Sequence, residues 1–216
     1  MESKRTAYHH GDLRNALLDA ATQSIENGDI ASLSVRALAQ QSGVFHRAAY
    51  RHFKDKDELL CATLARAYGR LASRFARQVK SPEPRRKLVQ IALAYADFCF
   101  DEPRMFLAMS GPRVNPAVAS EELEAALQLA FAPTLDAIEA GRAANIFKSR
   151  HSAAAAVFFW GALQGLLTQI VHGRIKVPAG KRAEFVEDAA LRLIAGLEFA
   201  TASGKASIAA ISDSTK

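Results

Sequence analysis

The chain has 216 residues, of which 50% are hydrophobic and 23% charged, proportions that exclude a mini-protein and exclude disorder over most of the length. Alanine occurs 43 times against seven prolines, a balance that favours helices and excludes an all-β fold, because alanine loses no side-chain entropy on entering a helix. The net charge of +6 is uneven: residues 1–60 balance eight basic against eight acidic groups, residues 61–87 carry eight against one, and residues 88–216 carry twelve against thirteen.

The first periodic segment runs from Asp12 to Asn27, with Leu13, Leu17, Ala20, Ala21 and Ile25 on one face and Gly28 placed to end it. Ser34 caps a second, short helix through the triplet Val35, Leu38 and Ala39. Gln41-Ser42-Gly43 breaks it, and Val44 to His52 resumes helical spacing. Asp55 and Glu58 then open a long helix whose stripe is Leu60, Leu64, Ala67, Leu71 and Phe75. Ser81-Pro82-Glu83-Pro84 is the linker that ends it. Beyond the linker the pattern predicts helices over 86–100, 105–109, 120–144, 151–172 and 181–202, with a disordered tail over 203–216.

Two short helices around a tight turn at Gly43 form a helix-turn-helix, with Ala39 and Gly43 as the small residues that the crossing needs. In the second of them Val44 and Ala48 are expected to face inward. Phe45, His46, Arg47, Ala49, Tyr50 and Arg51 are left to reach a duplex. A local cluster of Arg36, Arg47, Arg51, Lys54 and Lys56 around Asp55 supplies the charge for phosphates.

The run from Ser34 to Val44, followed by Arg47-Ala48-Ala49-Tyr50-Arg51-His52-Phe53 and Lys56, closely resembles the DNA-binding head of TetR-type transcriptional regulators. That resemblance implies an all-α homodimer: a three-helix head over 10–60, a connecting helix over 61–80, and an effector-binding and dimerisation domain over 85–202. It implies a ligand-responsive regulator, a repressor released from a palindromic double-stranded operator by a small-molecule effector. DNA contacts fall by that resemblance on Ser34, Arg36, Phe45, His46, Arg47, Ala49, Tyr50, His52 and Lys56, with Tyr50, His52 and Lys56 on phosphates and positions 45–49 on bases. Phe45 departs from the serine usual in the family, so it brings a ring for a thymine methyl or a sugar in place of a hydroxyl.

Phe98, Pro103 to Met109 and Trp160-Gly161-Ala162-Leu163-Gln164-Gly165 resemble the C-terminal subgroup named for a Trp/His/Gly motif, as does the start, Tyr8 to Arg14. Gln164 stands where histidine is expected. An apolar effector pocket is expected to draw on Phe98, Phe106, Met109, Trp160 and Gln164, with Phe131, Phe158 and Phe159 as further aromatics.

Other readings compete at three points. Ser152 to Val171 is free of charge and long enough for a membrane span, although Gln164, Thr168 and Gln169 interrupt it and a buried core helix has the same composition. Gly161 and Gly165, four apart, suit either a subunit interface or internal packing. Arg66, Arg70, Arg74 and Arg77 fall within an arc of about 80° on one helix, as a solvated face or as contacts to phosphate or another anion. His9, His10, His46 and His52 lack ligand spacing, so no metal or cofactor is expected. Cys61 and Cys99 lie 38 residues apart in apolar helices and read as reduced thiols. No phosphate loop, paired-histidine motif or nucleophile elbow points to an enzyme. The first ten residues lack a secretory apolar run, which implies a cytoplasmic protein. The alternative to a DNA-binding regulator is a helical ligand carrier or adaptor on the same scaffold.

Overall fold

The computed structural model describes residues 10–28, 33–41, 43, 45–111 and 120–198. These form nine α-helices and one 3-10 turn, with no strand among the described residues. The tail at 203–216 and the inward side chain expected of Val44 lie outside the described residues.

Local chemistry sets the helix ends. Helix α1 (His10–Asn27) stops at Gly28, whose φ of +91° is open to glycine without strain and whose N–H donates to the Ile25 carbonyl. Ser34 Oγ accepts from the Ala37 N–H at 3.1 Å and so starts α2 (Val35–Gln41). Helix α3 (His46–Ala49) is one turn long, shorter than the expected 44–52, and i→i+3 bonds from Arg51 and His52 tighten the chain after it. Asp55 caps α4 (Lys56–Gln78) by accepting from the Glu58 N–H at 2.8 Å. Glu83 accepts from the N–H groups of Arg85 and Arg86, and Pro84 occupies the first position of α5 (Pro84–Asp101), where its missing donor costs nothing. Pro103 opens α6 (Pro103–Ser110) in the same way. Helices α7 (Glu121–Ala143), α8 (Ser152–Val171) and α9 (Arg182–Glu198) follow the predicted periodicity to within about two residues at the described ends.

Two apolar cores result. Leu13, Leu17, Leu18, Ala21, Leu38, Ala39, Phe53 and Leu59 join α1, α2, the turn after α3 and the start of α4 into a head. The larger core, from Leu64 through Phe75, Ile91, Phe106, Ile138, Phe159 and Ile194, binds α4 to α5–α9. Helix α4 serves both, which is why nearly every residue from Leu59 to Ala65 is buried. Helix α8 is long and apolar enough to cross a membrane by composition, and Ala155, Ala156, Phe159, Leu163 and Leu167 on it are buried in the larger core.

The linker expected at residues 81–84 is pinned, because Gln90 Oε1 accepts from the N–H groups of Lys80 and Ser81, both at 2.9 Å. Head and body also meet elsewhere. Arg104 donates to the Glu26 carbonyl at 2.6 Å, and the Met105 N–H donates to the Glu26 carboxylate at 3.1 Å. Arg14 pairs with Glu122 at 2.7 Å. Desolvation raises the Glu26 carboxyl pKa above the usual carboxylate value, a rise opposed by the Met105 N–H.

The α7–α8 turn depends on one close approach. A Cβ on Gly141 would lie 2.1 Å from Cδ2 of Phe147, whose ring is buried. Gly141→Ala is therefore expected to destabilise the fold by about 1–3 kcal/mol, because a packed ring must leave its rotamer. A thermal melt should fall by several degrees, and an unchanged midpoint would contradict this packing.

Candidate nucleic-acid interface

The head presents α3 at its surface because its anchors lie on either side. Gly43 turns the chain with φ +66°, its N–H donating to the Gln40 carbonyl at 3.1 Å. Downstream, Phe53 is buried in the head core and carries the Arg14 guanidinium 5.5 Å above its ring. Between these anchors the backbone bends at Phe45, which adopts an extended conformation at the start of α3.

The exposed side chains follow from that geometry. Phe45 is 84% exposed, the most exposed large hydrophobic residue among those described, and Tyr50 is 47% exposed. His46, Arg47 and Arg51 are exposed beside them, and so is Arg36 on α2. Ser34, His52 and Lys56 are half-buried, and the Ser34 hydroxyl is engaged in its cap. An apolar ring and several cations are therefore exposed on and beside α3, an arrangement suited to a groove of negative charge.

Ala49 does not belong to that surface. It is fully buried in the head core, whereas Ala48 is only partly buried, the reverse of the expected assignment. Helix α3 is too short for periodicity to fix its rotation, and packing of Ala49 in the head core fixes it instead. Lys54, given no individual contact role from sequence, is exposed next to Arg51, while its N–H donates to the Glu58 carboxylate at 2.6 Å. Its place among clustered cations was the available signal.

Of the five residues expected at an effector pocket, Phe98, Phe106, Met109 and Trp160 belong to or pack against the larger core, with Phe106 and Trp160 both against the Tyr95 ring. Phe98 and Phe106 are buried core rings. Trp160 packs within an aromatic group, 4.7 Å from the Tyr95 ring and about 6 Å from those of Phe75 and Phe131. The Met109 carbonyl accepts from the Tyr68 hydroxyl at 3.1 Å. Gln164 alone of the five lines a groove between α6 and α8, with a volume of about 480 Å³, together with Leu107, Ser110, Gly161, Gly165, Thr168 and His172. The spacing of residues 161, 165, 168 and 172 along one helix face was the signal for that groove. Of the further aromatics, Phe159 is buried and Phe158 is 60% exposed.

Burial pushes the Cys99 thiol up to about 12 and raises that of Cys61, so neither favours a reactive thiolate. No group of three or more His, Cys, Asp or Glu side chains converges on a metal position among the described residues.

Comparison with known proteins agrees with this layout. The family model for bacterial regulatory proteins of the tetR family matches residues 17–63, and a tetracyclin repressor-like C-terminal domain matches residues 88–193. No curated protein matches the chain. Among solved structures, a protein of unknown function from Rhodococcus sp. RHA1 is 26% identical, with a TM-score of 0.77 over 90% of this chain and 100% of that one. The fatty acid degradation regulator FadR from Bacillus halodurans shares the fold at 16% identity and TM-score 0.69, over 92% of this chain and 100% of its own. FadR from Bacillus subtilis, solved in complex with stearoyl-CoA, does so at 16% identity and TM-score 0.68, over 84% and 98%.

Proposed function

This chain belongs to the TetR family of bacterial regulatory proteins, with a C-terminal domain of the Trp/His/Gly type, and from that premise we propose that it is a ligand-responsive repressor binding a palindromic operator as a homodimer. The observation that carries the reading is the surface around α3, where Phe45, His46, Arg47, Tyr50 and Arg51 are exposed together. Phe45, His46 and Arg47 read base edges, and Arg36, Tyr50, His52 and Lys56 hold the backbone. Ser34 orders the start of α2 behind them.

The second copy docks on α8 and α9. Val157 and Phe158 are 62% and 60% exposed, Leu191 on α9 is 50% exposed, and Gly161 and Gly165 carry the α8 face on to the groove that they line with Gln164. An apolar strip with small residues suits close helix packing across a twofold axis.

The effector enters the groove beside Gln164. The fold accommodates such ligands elsewhere, as in the Bacillus subtilis regulator in complex with stearoyl-CoA. A ligand wedged between α6 and α8 would move α6, and α6 holds the end of α1 through Arg104 and Met105. The heads must sit about 34–36 Å apart to meet successive turns of a duplex, so a small shift of α1 releases the operator.

Gel-shift titration on the DNA flanking the protein's own gene tests this reading. A specific shift supports it, and binding no tighter than to random duplex contradicts it. In the same assay Lys56→Ala is expected to weaken binding alike across sequences and to lower the slope of log affinity against log salt by about 1. An unchanged slope would remove Lys56 from the backbone contacts.

A further inference from the structure

Outside the interface just described, residues 61–78 of α4 carry four arginines and no carboxylate. Arg66, Arg70, Arg74 and Arg77 line one wall of a cleft of about 640 Å³, with Gly69 and Ser73 between them and Glu102 as the sole lining carboxylate. Arg66 reaches Asp19 on α1 at 2.6 Å, Arg70 grips Glu102, and Arg74 reaches Asp101 at 2.8 Å while lying 5.9 Å from the Phe98 ring centre. Arg77 has no ion pair among the described residues.

Fold stability does not require this arrangement, since partly exposed ion pairs contribute only about 0–1 kcal/mol each. Guanidinium groups at successive turns instead provide several planar donor forks converging on one hollow, a geometry matched by phosphate oxygens. The open space over Gly69, where a Cβ would meet nothing within 4 Å, leaves the wall accessible. The volume lies within the range of small-molecule sites.

We propose that this cleft binds a small anion bearing two or more phosphate groups, which takes Arg70 and Arg74 from Glu102 and Asp101. An extended polyanion is disfavoured, because the cleft is concave, Glu102 lines it and Asp101 stands exposed at its rim. Occupancy would also draw Arg66 from Asp19, and so the site reports to the head through α1.

Calorimetric titration of the full chain with inorganic pyrophosphate and with ATP, at low ionic strength and without DNA, tests the proposal independently of the regulator reading. Saturable binding near one site per chain is expected. Equal affinities would assign recognition to the phosphates alone, and tighter ATP binding would identify a nucleotide as their source. Arg70→Ala should weaken binding about tenfold or more. Glu102→Gln should tighten it severalfold by removing the internal competitor, a gain that misfolding cannot produce. Absence of binding by both probes, or affinities untouched by either substitution, overturns the site. So does a lowered salt slope for duplex binding by Arg70→Ala with pyrophosphate affinity unchanged, since the ridge would then belong to DNA.

Discussion

Arg47→Ala is expected to weaken binding to the specific operator by about 1–3 kcal/mol per half-site and to relax base preference, while leaving the dimer intact. In a homodimer the loss occurs twice, so the effect on a palindromic site is about 2–6 kcal/mol, roughly half of the gap of about 4–10 kcal/mol between specific and non-specific binding. The argument rests on geometry. Arg47 is exposed on a one-turn helix held by the buried Ala49 on one side and the positive-φ turn at Gly43 on the other. Its removal touches neither core. Fluorescence anisotropy with the operator and with single-base variants measures both quantities. Unchanged affinity together with unchanged base preference would remove Arg47 from the readers.

Phe158→Glu is expected to separate the dimer and thereby to weaken operator binding by about 100-fold or more, because two linked half-site contacts become two independent ones. A carboxylate at the centre of an apolar strip would be buried without a partner in the dimer, whereas in the monomer it faces water. Phe158 is 60% exposed in the single chain, so the monomer's own packing loses little. Gly165→Trp approaches the same question by bulk, since a Cβ there meets nothing within 4 Å inside the chain. Sedimentation velocity, with circular dichroism to confirm retained helix, reads the outcome. A dimer unaltered by both substitutions would place the twofold elsewhere.

The helical framework was legible because its signals are local. Ser34, Asp55 and Gly28 each act within three residues of themselves, so their roles at helix ends could be read from spacing alone. Long apolar periods in α7 and α8 gave ends close to those observed. Legibility failed where three-dimensional packing decides. Ala48 and Ala49 differ by one position on a single helical turn, and only burial in the head core chooses between them. The partners of the arginine ridge, Asp19, Asp101 and Glu102, lie in other helices, and no spacing rule joins them to α4.

Helix α4 links these levels. Its first turns complete the head core, its later turns complete the body core, and its outer face carries the four arginines. A displacement at either the α6–α8 groove or the arginine cleft therefore meets the same element on its way to α3. Coupling of this kind needs only two packings of α1 and α4 that differ by a few kcal/mol, each favoured by a different ligand.

The central claim, that α3 enters a duplex twice per assembly, is tested most directly by recovering bound fragments from sheared chromosomal DNA at low ionic strength. The account predicts enrichment of inverted repeats whose half-site centres lie about one helical turn, 34–36 Å, apart or a multiple of it, and loss of that enrichment with Arg47→Ala. Recovery of no fragment above background, or enrichment indifferent to Arg47, would contradict it.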